Sequence, residues 1–296
     1  MTAAIFAVFS SITFGSADFL GGLVTRRAAL IAVMLGNQAA ASLSLLLAAA
    51  IVTPFWLPPH DLALSIVAGI STSFGIPLLY KGLAIGPMSI VAPVTALVAM
   101  MLPVLYGMAI LGEAPPALTL LGFALAGLAV FLLGGGEKLF ESLRPAATRQ
   151  ATPLRAFAYA LGSGSCIAVF YVATRSCSAE SGLWPLVVAR LVALIAMACL
   201  AGIRWRRQPL VWPAASVIAL ILLSGALDGG GNAFYIIAAH SGELGVVATI
   251  TSLYPATTIL LARYGLGERI SWAQTIGVIS ALAAIVAIIW GLQVPA

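Results

Sequence analysis

Ten stretches of roughly twenty residues each run along this chain with almost no charge in them. A helix rising about 1.5 Å per residue crosses the ~30 Å hydrocarbon core of a bilayer in about 20 residues. The stretches read as residues 3–24, 29–52, 62–80, 88–111, 117–134, 156–174, 183–203, 212–238, 245–262 and 272–292. Lipid offers no partner to a free backbone N–H or C=O, so each is expected to be α-helical. Composition closes the alternatives: 62% of residues are apolar and 8% charged, against about 45–50% and about 25% in soluble domains. A soluble enzyme, a disordered chain and a nucleic-acid binder are thereby excluded. The net charge of +5 is spread along the chain and forms no basic patch. The expected fold is an all-α polytopic membrane protein with very little extramembrane mass.

Several chemistries lack their residues. His60 and His240 have no metal-ligating neighbours at suitable spacing, and Cys166, Cys177 and Cys199 form no CxxC. No metal and no cofactor is therefore expected. Phosphate-cradling glycine loops and paired aspartates are also missing, which argues against an ATP-driven pump or a phosphate-binding enzyme. The first residues carry no basic run ahead of the apolar stretch and read as the start of a retained span.

Most charges fall between spans and give a direction. Arg26, Arg27, Lys81, Lys138, Arg144, Arg149, Arg155, Arg204, Arg206, Arg207, Arg263 and Arg269 all lie on one side of a ten-span path, and only Arg175 lies in the opposite loops. Lys and Arg are retained on the cytoplasmic side, so both termini are expected outside, in a multi-pass protein of the inner (plasma) membrane. Glu137 and Glu141 belong to the long polar stretch 135–155, which splits the chain into residues 1–134 and 156–296.

These halves resemble each other. A shift of 155 residues aligns Tyr80–Gly134 with Tyr235–Ile289 without a gap, pairing Val91 with Val246, Ala126 with Ala281 and Ala129 with Ala284. In so Ala- and Leu-rich a background, such apolar matches carry little weight. Leu111-Gly112-Glu113 matching Leu266-Gly267-Glu268, each followed nine residues later by Gly122 or Gly277, carries more. Five spans is an odd number, so the second copy is expected upside down, as in secondary transporters built from inverted repeats. The two glutamates are expected to cap the starts of the fifth and tenth spans, where a carboxylate meets free N–H groups.

On these residues the chain resembles the EamA-type branch of the drug/metabolite transporter superfamily. The Leu-Gly-Glu triplets, Pro255 thirteen residues before Glu268, and Gly15-Ser16 in the first span carry the resemblance. Arg190 stands where that family often has an arginine in the second span of a repeat, and Asn37 takes the matching place in the first copy. The resemblance implies a basket of ten helices around a central cavity, lined mainly by spans 1, 3, 4, 6, 8 and 9. It also implies movement of small organic solutes, often outward.

Three charges remain inside the spans: Asp18, Arg190 and Asp228. A mid-bilayer charge costs at least about 2.5–3.5 kcal/mol on insertion scales, so each should meet a cavity or a partner. Asp228, Asn232 and Tyr235 share a helical face beside Gly229-Gly230-Gly231. Two readings stay open: a solute- or proton-binding acid beside a glycine hinge, or an Asp228–Arg190 pair with glycines for close packing. Asp18 likewise either faces solute or pairs with Lys81. Tyr80, Tyr235 and Tyr254 complete the candidate binding set, while Asn37 and Gln38 read as helix–helix glue. The expected function is export of small amphipathic solutes, amino acids first, by alternating access. The rivals are lipophilic-cation export and, from another class, an intramembrane enzyme on lipid-linked substrate. Expected partners are the solute and the bilayer, with a proton as candidate co-substrate and no nucleic acid; monomer and homodimer both stay open.

Overall fold

The computed structural model describes residues 1–25, 27–85, 88–134, 154–205, 213–267 and 269–293. Helices account for 86% of it, with no strand among the described residues. The helices are α1 (Thr2–Thr25), α2 (Leu30–Val52), α3 (Pro59–Ile85), α4 (Met88–Ala109), α5 (Ala117–Leu133), α6 (Leu154–Arg175), α7 (Trp184–Trp205), α8 (Ala215–Ser241), α9 (Leu244–Thr251), α10 (Tyr254–Leu266) and α11 (Trp272–Gly291). Seven described stretches are long and apolar enough to cross a membrane, with α9 and α10 counted as one; Val94–Ala109, Ala117–Leu133 and Trp184–Cys199 are shorter apolar helices. Large apolar side chains such as Leu43, Leu47 and Ile51 on α2, and Ile279, Leu282 and Val286 on α11, are exposed. That surface suits acyl chains, and the protein is multi-pass.

Prolines mark the helix starts. Pro59 opens α3, Pro116 precedes α5, and Pro255 stands in the first turn of α10. Proline has no N–H to leave unsatisfied there, and its fixed φ is already helical. At α11, Ser271 and Gln274 instead form a reciprocal capping box. The ninth expected span is not one helix: α9 and α10 are separated by a turn at Ser252 and Leu253. All eight residues of α9 are buried, whereas α10 has no buried residue.

Helices pack mainly between the halves. The most extensive pairings are α1 with α8, α5 with α11, α3 with α6, α2 with α8, α4 with α6, α3 with α7 and α1 with α10. Exchanging the halves maps this set onto itself. Glycines make the correspondence specific, because a missing side chain lets backbones approach closely. Gly69 lies against Ala189 and Val192 of α7, and Gly225 lies against Asn37 and Ala40 of α2. Gly75 meets Cys166 of α6, and Gly231 meets Phe14 of α1. Both glycine pairs are 156 residues apart, and their partners are 152 apart. By that offset Arg190 corresponds to Gln38, one residue beyond the Asn37 expected from sequence.

In α5 and α11 the offset of 155 holds. Gly122 packs on Ile288 and Gly277 on Leu133. Ala126, Ala129, Ala281 and Ala284 are all buried in that seam, so alanine matches that looked uninformative are the contact itself. The three glycines after Asp228 do not interrupt α8. Gly229 packs on α2 and Gly231 on α1, while Gly230 faces open space. Close packing is what this run does here.

The seam predicts its own failure. A Cβ at Gly277 would lie 2.9 Å from Leu133 Cγ, closer than van der Waals contact permits. Gly277→Val should destabilise the protein by about 1–3 kcal/mol, the usual cost of overpacking. Lowered melting of the detergent-solubilised protein, followed by size-exclusion chromatography after heating, checks this. The same substitution at Gly230 should be near neutral in packing.

Candidate functional site

Four helices bring the intramembrane charges together. Arg190 on α7 donates from Nη2 to Asp228 Oδ2 on α8 at 2.7 Å. Its Nη1 donates to Gln38 Oε1 on α2 at 3.0 Å. The Arg190 and Asp228 side chains are 15% and 21% exposed, so the pair lies at a wall, neither sealed nor solvated. Asn232, buried one turn beyond Asp228, donates to the Asp228 carbonyl at 2.7 Å. The pairing reading of Asp228 is thus realised, and Gln38, which reads in the sequence as packing glue, is part of it.

Asp18 on α1 differs. Its side chain has open surface, and no hydrogen bond or ion pair holds it among the described residues. Lys81 is exposed and not paired with it. Protein nevertheless surrounds Asp18, and the charge of Asp228 reaches it. It also lies within electrostatic range of the Tyr171 and Tyr254 hydroxyls. Asp18 thus combines open surface with charged and hydroxyl groups of other helices within electrostatic range. Gly15, one turn earlier, lets α1 touch the start of α10: a Cβ there would meet Thr257 and the Tyr254 carbonyl. Thr258 Oγ1 donates to the Gly15 carbonyl at 3.0 Å.

The tyrosines separate. Tyr254 is half-buried at the start of α10, with its ring 6.5 Å from that of Phe14. Tyr235 is fully buried, stacks near Tyr171 at 4.5 Å, and donates its hydroxyl to the Tyr171 carbonyl at 3.0 Å. It supports the site from behind. The Tyr80 side chain lies outside the described residues, as do Glu268 and the 135–153 stretch.

Glu113 corrects an expectation. It caps the start of α9 rather than that of α5, accepting from the Leu244 and Gly245 N–H groups. Gly112 explains how: at φ 71° it adopts the left-handed conformation that ends a helix, and Gly267 matches it at φ 68°. The turn sends Glu113 across to the other half, where α9 has no side-chain cap of its own. At the same end of the bundle, Asp61 accepts from the Ser178 N–H and from the Ser178 and Ser181 hydroxyls. Trp184 Nε1 donates to the Pro54 carbonyl there at 3.0 Å. Burial pushes the Cys177 thiol in this cluster up to about 12, with the Asp61 charge adding to it, so the thiol is unreactive at neutral pH.

Residues 154–290 match the model of the EamA-like transporter family. The match spans the second of the two halves, which is therefore similar to EamA-type transporters. EamA proteins are part of the drug/metabolite transporter superfamily. A solved crystal structure, 18% identical in sequence, aligns over 99% of both chains with a TM-score of 0.74; at that identity the likeness is one of fold alone. No curated protein sequence matches the chain.

Two tests follow from the charges. Burial and the neighbouring Glu113 charge raise the Glu243 pKa. A raised carboxyl favours the folded state when protonated, and that contribution is lost as pH rises through the folded pKa. Glu243→Gln should therefore raise the melting temperature at pH 7 to 8, with the gain vanishing below about pH 4, where the unfolded carboxyl is also protonated. Asp228→Asn strands the Arg190 charge, which costs about 3–5 kcal/mol when a pair is fully buried and less at this exposure. The double variant Arg190→Met/Asp228→Met should melt higher than Asp228→Asn alone.

Proposed function

We propose that this protein is an EamA-type secondary transporter that exports small amphipathic organic solutes by alternating access. Its ten crossings form two inverted five-helix repeats, residues 1–134 and 156–296 joined by 135–155, rocking around a central cavity in the inner membrane. The family match over residues 154–290 supports transport, and the exchange symmetry of the helix pairings supports the repeat. Clustering of Lys and Arg on one side supports the outside termini.

The observation that carries the site assignment is Asp18: an unpartnered carboxylate with open surface, ringed by protein and tyrosines. Lipid tolerates such a group only where something polar visits it. A solute with an ammonium group and an apolar body fits, held by Asp18 against Tyr254 and Phe14. Amino acids are the first candidates: Asp18 takes the ammonium, and Arg190, though engaged by Asp228 and Gln38, adds a weaker pull on the carboxylate. Lipophilic cations are the second reading, and a specific observation favours them: Asp228 and Gln38 already occupy Arg190.

Flux of labelled amino acids and of a lipophilic cation from proteoliposomes, with and without a pH gradient, tests the proposal. Amino-acid flux that Asp18→Asn reduces at least tenfold is the expected result. Cation flux without any amino-acid flux would select the second reading, and flux of neither would overturn both. A response to the pH gradient that disappears in Asp18→Asn would assign proton coupling to that residue.

A further inference from the structure

Gln38 and Arg190 occupy corresponding positions in the two halves by the 152-residue offset of their neighbours, and they touch each other. Where a contact joins equivalent residues, two arginines would repel and two glutamines would leave Asp228 uncompensated. One of each gives a single positive charge whose direction can be set. Arg190 offers five N–H donors in a planar fork. Asp228 takes one on Nη2 and Gln38 takes one on Nη1, while Nε is buried without a partner. The guanidinium is therefore held from two sides, by α8 and α2. Asp18 across the site is held by nothing among the described residues.

We propose that Gln38 is a specificity-determining residue: by occupying Nη1 of Arg190 it keeps the guanidinium turned to the wall, so that the site reads the ammonium of its solute through Asp18 and reads a carboxylate only weakly. The inference rests on the transporter reading of the same site. Gln38 is a positioning residue, since it acts through Arg190. Its side chain suits the task because the amide oxygen accepts from the guanidinium without adding charge. A glutamate would grip Arg190 harder, and a side chain without an acceptor would release it.

A matched pair of ligands isolates the effect. L-Phenylalanine and 2-phenylethylamine share ring and ammonium, and differ by the carboxylate alone. Binding of each to the purified full chain, measured by titration calorimetry, gives a preference ratio for wild type, Gln38→Met and Gln38→Glu. Gln38→Met should shift the ratio toward phenylalanine by about tenfold, the scale of one hydrogen bond to a charged group. Gln38→Glu should shift it the other way. A merely structural role would weaken both ligands equally and leave the ratio unchanged, which overturns the inference while the transporter reading stands. Binding of neither ligand to wild type would overturn the ammonium-solute reading and the inference with it. Unaltered elution on size exclusion shows that each variant is folded.

Discussion

In lipid, helix backbones come close only where side chains are small, because apolar burial offers no extra drive between helices already in an apolar solvent. This chain meets that constraint with glycines paired between its halves. Gly69 and Gly225 seat α3 and α8 on α7 and α2, Gly75 and Gly231 seat them on α6 and α1, and Gly122 and Gly277 lock α5 to α11. Each crossing thus joins one half to the other, and the polar site lies among helices positioned by these contacts. The Arg190–Asp228 distance of 2.7 Å depends on α7 and α8 being brought to one depth by separate glycine contacts, through α3 and α2.

Charge scarcity made much of this legible beforehand. With so few ionisable residues, Asp18, Arg190 and Asp228 stood out, and the Arg190–Asp228 pair could be anticipated from helical rise alone. The Leu-Gly-Glu repeat was visible because a glutamate does not persist in an apolar stretch without a role. Other features were hidden for physical reasons. The alanine matches at 126, 129, 281 and 284 were indistinguishable from background, since small residues are common on every face of membrane helices. Gln38 looked like generic glue because nothing local says which helix its amide meets. The cap that Glu113 places on α9 is hidden in the sequence, because sequence neighbourhood favours the next helix and only the fold reveals the one across the bundle.

The break between α9 and α10 separates two environments within one apolar stretch. Every residue of α9 is buried and its start is capped by Glu113; α10 has no buried residue and its first residue, Tyr254, reaches the site. Local stability follows contact density. The anchored α9 and the loosely packed α10 therefore differ in how readily they can shift, and the turn at Ser252 and Leu253 falls between them.

The α5–α11 seam has a further property. Gly122 meets Ile288 and Gly277 meets Leu133, so residue i of one helix touches residue j of the other, and the equivalent of i touches the equivalent of j. That reciprocity is the signature of an isologous interface, the kind through which identical subunits form a closed pair. A single five-helix unit meeting a second copy of itself through these residues would make the same contact. The covalent link through residues 135–155 therefore joins, in one polypeptide, what a self-complementary surface could hold together as two.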